Sequence, residues 1–450
     1  MRGKTGFTAI LGANIMTNSN LSPSALRDRL VRAQVSVLES EARAVEEKVA
    51  RIRAGGFFNR QVDVVGDIGS ATSSSAYRIF TKWALEEPNQ QQPYVLQLNS
   101  GGGNYINSFA MYDIIRLFQK DGRQVTAANM GMMGTQAAIL MQSAKRRVMS
   151  PSSWIVLKEV EGTAKGNTNA HRDAVRFFRT LEEHGWKLLL ERSSLEKQQI
   201  LDNTYRGGEW WIGAEEALKF GLIDEICAEV QVLPCADIVD PDLLPLEGDS
   251  WSVRKHKAAI RKTLAESELL RMTRYDSLDT FEETNQVLLF SDVSPASCSG
   301  VTQSMNSFIR RNTPAVDFVI NSPGGCVVSG AGTMDVLDKA KANGTKLSTT
   351  IYGYAASMGG FLSQTGAHRR MTRNAYFMIH QVSAIFGGSS SHLDEKQANM
   401  ERLQQMLFTH MSERSGGKLS METLKANCND HDWWLTPEEA LSFGLIDEII

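Results

Sequence analysis

The sequence predicts an α/β protein built as two tandem copies of one domain, each a largely parallel sheet flanked by helices. Two observations predict this. The segment from Trp210 to Ile226 (WWIGAEEALKFGLIDEI) returns from Trp433 to Ile449 as WWLTPEEALSFGLIDEI. A match of that length exceeds what helix propensity alone produces and marks an internal repeat. In each half, short apolar strands also alternate with helical stretches, the pattern of a parallel sheet with crossover helices.

Taken in order, residues 24–54 read as a helix, with Ser24 as N-cap and Leu26, Leu30, Ala33, Val37 and Ala44 at helical spacing; Gly55-Gly56 ends it. It is expected to be a solvated helix packed on the first domain, with a docking or oligomerisation arm as the alternative. The first copy opens with a strand from Val62 to Gly69, the second with one from Val287 to Ser294. Each continues through a helix into a second apolar strand, Tyr94 to Leu98 and Val316 to Ile320. Both strands run into a glycine turn, Asn99-Ser-Gly-Gly-Gly103 and Asn321-Ser-Pro-Gly-Gly325, and then a helix carrying Asp113 or Asp335. Four regions follow: an N-terminal helical extension (1–59), a first copy (60–227), a linker with a helical segment (228–281) and a second copy (282–450). The linker holds Pro234, Pro241 and Pro245 among aspartates, then a basic stretch from Arg254 to Lys262 and a helix through Arg271.

A chain of 450 residues exceeds one ordinary core. The net charge of −3 gives no reason to propose a nucleic-acid or membrane partner. Cys227, Cys235, Cys298, Cys326 and Cys428 are scattered, and no pair has metal-ligand spacing, which points to reduced thiols and a cytoplasmic compartment. Arg2, Lys4 and the mildly apolar Phe7 to Met16 imitate a short signal peptide, but Thr8, Asn14 and the glycines interrupt it. No cofactor is expected.

The chemistry concentrates in the second copy. In Tyr352-Gly-Tyr-Ala-Ala-Ser-Met-Gly-Gly-Phe-Leu362, small residues let a helix start close to a strand end and leave the Ser357 hydroxyl at a helix N-terminus. His380 ends the apolar strand Tyr376 to Ile379, and Asp432 precedes the repeated Trp-Trp. A hydroxyl nucleophile needs a base, and the base needs an acceptor; Ser357, His380 and Asp432 supply those roles. The cluster Asp430, His431 and Asp432, with His380 or His392, also invites a metal reading. Adjacent residues point in different directions, and no second ligand falls at the usual spacing, so no metal is expected. Gly416-Gly-Lys-Leu-Ser420 lacks the leading glycine of a phosphate loop and reads as a turn.

Four motifs stand in order in the second copy: Ser-Pro-Gly-Gly, Gly-x-Ala-Ala-Ser-Met-Gly, Met-Ile-His-Gln and Asp-x-x-Leu-x-x-Glu-Glu-Ala-x-x-x-Gly-Leu-Ile-Asp. Together they resemble the ClpP family of serine peptidases, closely over 282–450 and loosely over 60–226. The resemblance implies two ClpP/crotonase-like domains, each with a protruding handle helix. It implies Ser357 as nucleophile, His380 as general base, Asp432 as orienting carboxylate, and the N–H groups of Gly325 and Met358 as oxyanion hole. Gly387-Gly388 resembles the segment bordering the substrate groove. The helix from Leu393 to Arg414, with Leu403, Met406, Leu407 and Met411, resembles the handle. It further implies cleavage of unfolded polypeptides inside a ring of copies of the chain, fed by an AAA+ unfoldase on a separate chain.

The first copy departs from this pattern. A gap-free offset of 222 places Thr135 on Ser357 and Lys158 on His380, and the repeated Trp-Trp places Glu209 on Asp432. A rival alignment with one gap puts Gly134 on Ser357. A lysine at neutral pH has no lone pair to accept a proton. A Lys158–Glu209 ion pair replacing the His–Asp pair is the simplest expectation, with a Thr135/Lys158 dyad as the sharper alternative. Gly101 replaces proline, and Met132-Met133 replaces two alanines. Residues 60–226 are therefore expected to be catalytically silent. Three rival functions are a signal-peptide-peptidase-like Ser/Lys enzyme using Lys158 across copies, a non-catalytic assembly or phage-type maturation subunit, and a crotonase-type acyl-CoA enzyme. The ordered Ser-His-Asp set argues against the last.

Overall fold

A computed structural model describes residues 22–53, 60–86, 93–164, 168–204, 208–227, 241–275, 284–383, 390–429 and 431–450. Gly55-Gly56, the N-terminal residues 1–21, Pro234, Gly387-Gly388 and Asp430 lie outside them. The chain divides into two compact units, 1–59 with 234–278, and 60–233 with 279–450.

The smaller unit is a helical pair. Helix α1 (Pro23–Arg53) buries Val35, Ala42 and Val49, one residue every seven. That spacing is the seam of a coiled coil, and the seam is covered by a helix from the region read as linker. The covering helix, Trp251–Tyr275, buries Ala258 and Ala265 at the same interval. Arg254 pairs with Glu39 at 2.9 Å, Arg261 with Glu46 at 2.6 Å and Lys262 with Glu41 at 2.6 Å. Since Arg254 and Arg261 advance in step with Glu39 and Glu46, the two helices run parallel. The helical segment expected within the linker is therefore present as residues 251–275, and it serves as the arm that pairs with α1.

The larger unit holds both copies. The first runs β1 (Gln61–Ile68), α2 (Ser70–Glu86), β2 (Tyr94–Gly103), α3 (Tyr105–Lys120), β3 (Val125–Gly134), α4 (Thr135–Met141), β4 (Arg146–Met149) and β5 (Trp154–Leu157). It continues through α5 (Thr168–Leu190), α6 (Lys197–Thr204), β6 (Trp210–Gly213), α7 (Ala214–Lys219) and β7 (Glu225–Ile226). With the linker-region helix as α8, the second copy repeats the plan: β8 (Gln286–Leu289), α9 (Pro295–Arg310), β9 (Ala315–Ser322), α10 (Val327–Ala342), β10 (Lys346–Ala356) and α11 (Met358–Ser363). It closes with β11 (His368–Met371), β12 (Tyr376–Ile379), α12 (Ser390–Arg414), α13 (Met421–Asn427), β13 (Trp433–Leu435), α14 (Pro437–Ser442) and β14 (Glu448–Ile449). Each copy forms its own seven-stranded sheet, ordered β1-β2-β3-β4-β7 and β8-β9-β10-β11-β14, with β5-β6 and β12-β13 branching from the long central strand. All pairings are parallel except β5 with β6 and β12 with β13.

The register confirms the gap-free offset. Met132, Met133 and Gly134 pair with Trp154, Ile155 and Val156, while Tyr354, Ala355 and Ala356 pair with Tyr376, Phe377 and Met378. Each residue is displaced by 222 from its counterpart (354 − 132, 376 − 154). The one-gap alternative, with Gly134 on Ser357, is ruled out by this pairing. Ion pairs repeat as well. Arg147 with Asp224 and Gln142 matches Arg369 with Asp447 and Gln364, tying the last strand to the sheet in both copies. The apolar core of the second copy gathers Phe308, Phe318, Ile320, Phe377, Phe408 and Leu445 around the central strand. Helix α12 turns Leu407 and Met411 into that core, but Met406, expected on the same face, is exposed.

The copies also pack on each other. Helix α3 lies against β10, and Gly353 (φ 65°) makes this possible: a Cβ there would stand 3.0 Å from the Ile106 carbonyl oxygen and 3.1 Å from the Ala110 Cβ. Buried Asn321 donates to Asn107 Oδ1 at 3.0 Å. Asp113 accepts from the Asn374 amide and side chain, and burial pushes its pKa up to about 6. Phe177 stacks on Trp434 with centroids 3.6 Å apart, and His184 bridges Asn374 and the Tyr376 hydroxyl.

Candidate active site

In the second copy three strands converge on one point. Strand β10 ends at Ala356 beside Met378 of β12, and the Ser357 N–H donates to the Met378 carbonyl at 2.9 Å. Two residues later β12 delivers His380. Strand β13 runs antiparallel to β12 with Trp433 opposite Ile379, which sets Asp432 opposite His380. Residues 23 and 75 positions beyond Ser357 are thus brought together by sheet register alone (380 − 357, 432 − 357).

Ser357 takes φ 50°, ψ −123°, a conformation that L-residues rarely adopt, at the turn from β10 into α11. Such strain at a turn persists only when the surroundings over-determine it. Here the constraint is close packing: a Cβ on Gly324 would lie 2.6 Å from the Ser357 Cβ and 2.9 Å from the Met358 nitrogen. The glycine turn therefore presses directly on the serine. Ser357 Oγ stands 2.7 Å from His380 Nε2, a hydrogen bond in which the hydroxyl donates to a neutral imidazole. His380 Nδ1 is 3.6 Å from Asp432 Oδ1, an electrostatic contact longer than a hydrogen bond. Burial holds His380 below the usual histidine range, and the Asp432 charge opposes that shift. The imidazole is consequently neutral, and able to accept a proton, at physiological pH.

Two backbone donors border the serine. In the bridge between Val293 and Gly325, Val293 N–H donates to Gly324 and Cys326 N–H donates to Val293, both at 2.7 Å, which leaves the Gly325 N–H unused. Met358 opens α11, where a helix provides no acceptor for its first amides. Among the described residues neither N–H meets a protein acceptor. His431, next to Asp432, turns its Nδ1 onto the Asn429 carbonyl at 2.7 Å, and the side chain of His392 lies outside the described residues.

The matching point in the first copy is closed on itself. Gly134 precedes α4 with an ordinary extended backbone (φ −76°), and no left-handed turn presents Thr135. The Thr135 hydroxyl donates to the Lys158 carbonyl at 3.1 Å and accepts from the Lys158 N–H at 2.9 Å. The expected Lys158–Glu209 ion pair is corrected. Lys158 Nζ reaches Glu161 at 3.2 Å, and Glu209 accepts from the Trp211 indole at 3.1 Å. Strand β5 places Lys158 opposite Glu209, but both chains are long enough to find partners on their own side of the ladder. Gln136, the counterpart of Met358, was missed as a site residue. Its Oε1 faces the N–H of Gly103, counterpart of Gly325, at 3.4 Å. A polar residue in place of Met358 was the readable signal. The first copy thus fills with its own side chain the space that the second leaves open.

The family model described as Clp protease matches residues 46–230 and again 270–450. The ATP-dependent Clp protease proteolytic subunit 1 of Prochlorococcus marinus subsp. pastoris is 35% identical over 147 residues, covering 32% of this chain and 72% of that protein. The subunit of the same name from Streptomyces avermitilis is 34% identical over 206 residues, covering 45% of this chain and 84% of its own. With the family model matched twice, over most of its length, the chain belongs to the Clp protease family.

Proposed function

We propose that the chain is a serine endopeptidase with one working site, in its second copy. The observation that carries this reading is the 2.7 Å hydrogen bond from Ser357, on a strained turn, to His380. Ser357 Oγ attacks the peptide carbonyl carbon while its proton passes to His380 Nε2. The oxyanion is received by the Gly325 and Met358 N–H groups. His380 returns the proton to the departing amine, and water, activated by the same imidazole, releases the acyl group. Asp432 steadies the imidazolium, and closing its 3.6 Å gap to hydrogen-bond length requires a shift of roughly half an ångström or more. The glycine turn Gly324-Gly325 gives an extended polypeptide substrate access to this backbone.

The first copy contributes fold and surface. Thr135, Gln136 and Lys158 are committed to internal partners, which disfavours a Ser/Lys dyad shared between copies. The two named relatives are proteolytic subunits of an ATP-dependent protease. By extension this chain works as a ring of its own copies, supplied with unfolded polypeptide by an AAA+ ATPase on a separate chain. The test is peptidase activity of wild type against Ser357→Ala, His380→Ala and Asp432→Ala on an unstructured substrate. Loss in all three supports the proposal. Undiminished cleavage by the Ser357 variant overturns it.

A further inference from the structure

The contact that joins the two copies is head to tail: α2, α3 and α5 of the first copy meet Phe290 at the end of β8, and β10, β12 and β13, of the second. Such a heterologous contact uses two different surfaces, so each copy also owns the surface its neighbour did not use. The unused halves are the outer face of the second copy's α10 and α12, and the outer edge of the first copy's β1, β3, β5 and β6. Their residues are identified by the repeat.

At the internal contact Ile106 is 4% exposed, Tyr376 3% and Phe290 8%. Their counterparts on the outer faces are Val328, 74% exposed, Trp154, 46%, and Val65, 66%. Trp211, counterpart of stacked Trp434, and Met406, counterpart of His184, are exposed as well. Large apolar side chains therefore lie uncovered at the positions the internal contact buries. Shape agrees with chemistry. Gly353 admits α3, and its counterpart Gly131 sits on the outer edge of β3 beside exposed Met132. Ala110, which packs on Gly353, is replaced by Gly332, whose Cβ position meets nothing within 4 Å. Met406 in place of His184 would face Trp154 in place of Tyr376, a thioether against an aromatic ring.

We infer that this outer pair of faces binds a second copy of the chain: α10 and α12 of one molecule dock on the β3–β5–β6 edge of the next, repeating between chains the contact that joins the copies within one. First and second copies then alternate side by side in the same array. If the array closes into a ring, that ring holds an even number of folds, half of them carrying Ser357. The inference deepens the assembly part of the proposed function and is independent of its chemistry.

The test is native mass spectrometry of wild type, Val328→Asp and Trp154→Asp, with a benzophenone amino acid placed at position 328 for photo-crosslinking. Both substituted side chains are exposed, so unchanged circular dichroism is expected. The expected result is an assembled wild type, disassembly by either substitution, and an intermolecular crosslink from position 328 to the peptide carrying Gly131 and Met132. An assembled particle unmoved by both substitutions, or crosslinked elsewhere, overturns this contact and leaves ring assembly standing. A wild type that is a single chain at every concentration overturns both.

Discussion

Thr135 and Ser357 occupy the same register position in the two sheets, yet Thr135 gives its hydroxyl to the Lys158 carbonyl and Ser357 gives its hydroxyl to the His380 imidazole. The difference lies in the turn. Ser357 is held at φ 50°, whereas the residue before Thr135 leads into its helix through ordinary extended backbone. One copy stores strain to expose a nucleophile, and the other relaxes it.

Removing Ser357 or His380 is expected to lower kcat by about 10⁴- to 10⁶-fold, because a triad acts as a unit. Steady-state hydrolysis of a fluorogenic peptide measures this. Asp432→Asn is expected to cost less, since the aspartate stands beyond hydrogen-bond length from His380.

The pH dependence follows from His380. Burial lowers its pKa and Asp432 raises it. Activity requires the neutral imidazole, so kcat/KM is expected to fall as pH drops through a value below the usual histidine range. In Asp432→Asn the opposing charge is gone, and the acid limb is expected to move to still lower pH. A pH–rate profile of both proteins checks the sign. A limb that moves upward contradicts this electrostatic account.

First-copy substitutions are expected to leave the chemistry intact. Lys158→Ala removes an ion pair to an exposed Glu161, worth about 0–1 kcal/mol. It should leave kcat/KM within about twofold, since an exposed pair contributes little. A shared Ser/Lys mechanism requires instead that activity disappear, and the same peptide assay decides between them.

The junction between copies is expected to be fragile at Asn107. Its side chain accepts from buried Asn321 and from Ser73 at 3.0 Å each. Asn107→Ala strands those donors, at a cost of about 1–3 kcal/mol. Urea unfolding measures the loss. The restoration expected of Asn107→Asp, which keeps the acceptor, separates hydrogen bonding from packing.

Asp113 makes the same junction sensitive to pH. Its folded-state pKa is raised to about 6 by burial, so its contribution to stability is fully present below the unfolded value and is lost as pH rises through about 6. Thermal unfolding of wild type compared with Asp113→Asn across that window checks the direction.

Much of this was legible from residues alone. The repeated Trp-Trp segment fixed Asp432 against Glu209, and the offset of 222 survived from the central strand through β5 and β12 (377 − 155), becoming 223 at β6 and β13 (435 − 212). The partner of α1 was not legible, because the heptad of Val35, Ala42 and Val49 shows only that something covers it. The Lys158–Glu209 pair failed because register places Cα atoms, while flexible lysine and glutamate side chains choose their partners. The contact between copies was hidden for a related reason. Gly353, Asn321 and Tyr376 each look like residues of a sheet interior until a helix of the other copy is seen resting on them.

The central claim is one working site for two folds. Exhaustive labelling with a fluorophosphonate probe, followed by intact and peptide mass spectrometry, tests it most directly. The expected result is one adduct per chain, on Ser357, abolished by Ser357→Ala and by no substitution at Thr135. No adduct on the assembled wild type, or a second adduct on the first copy, would contradict it.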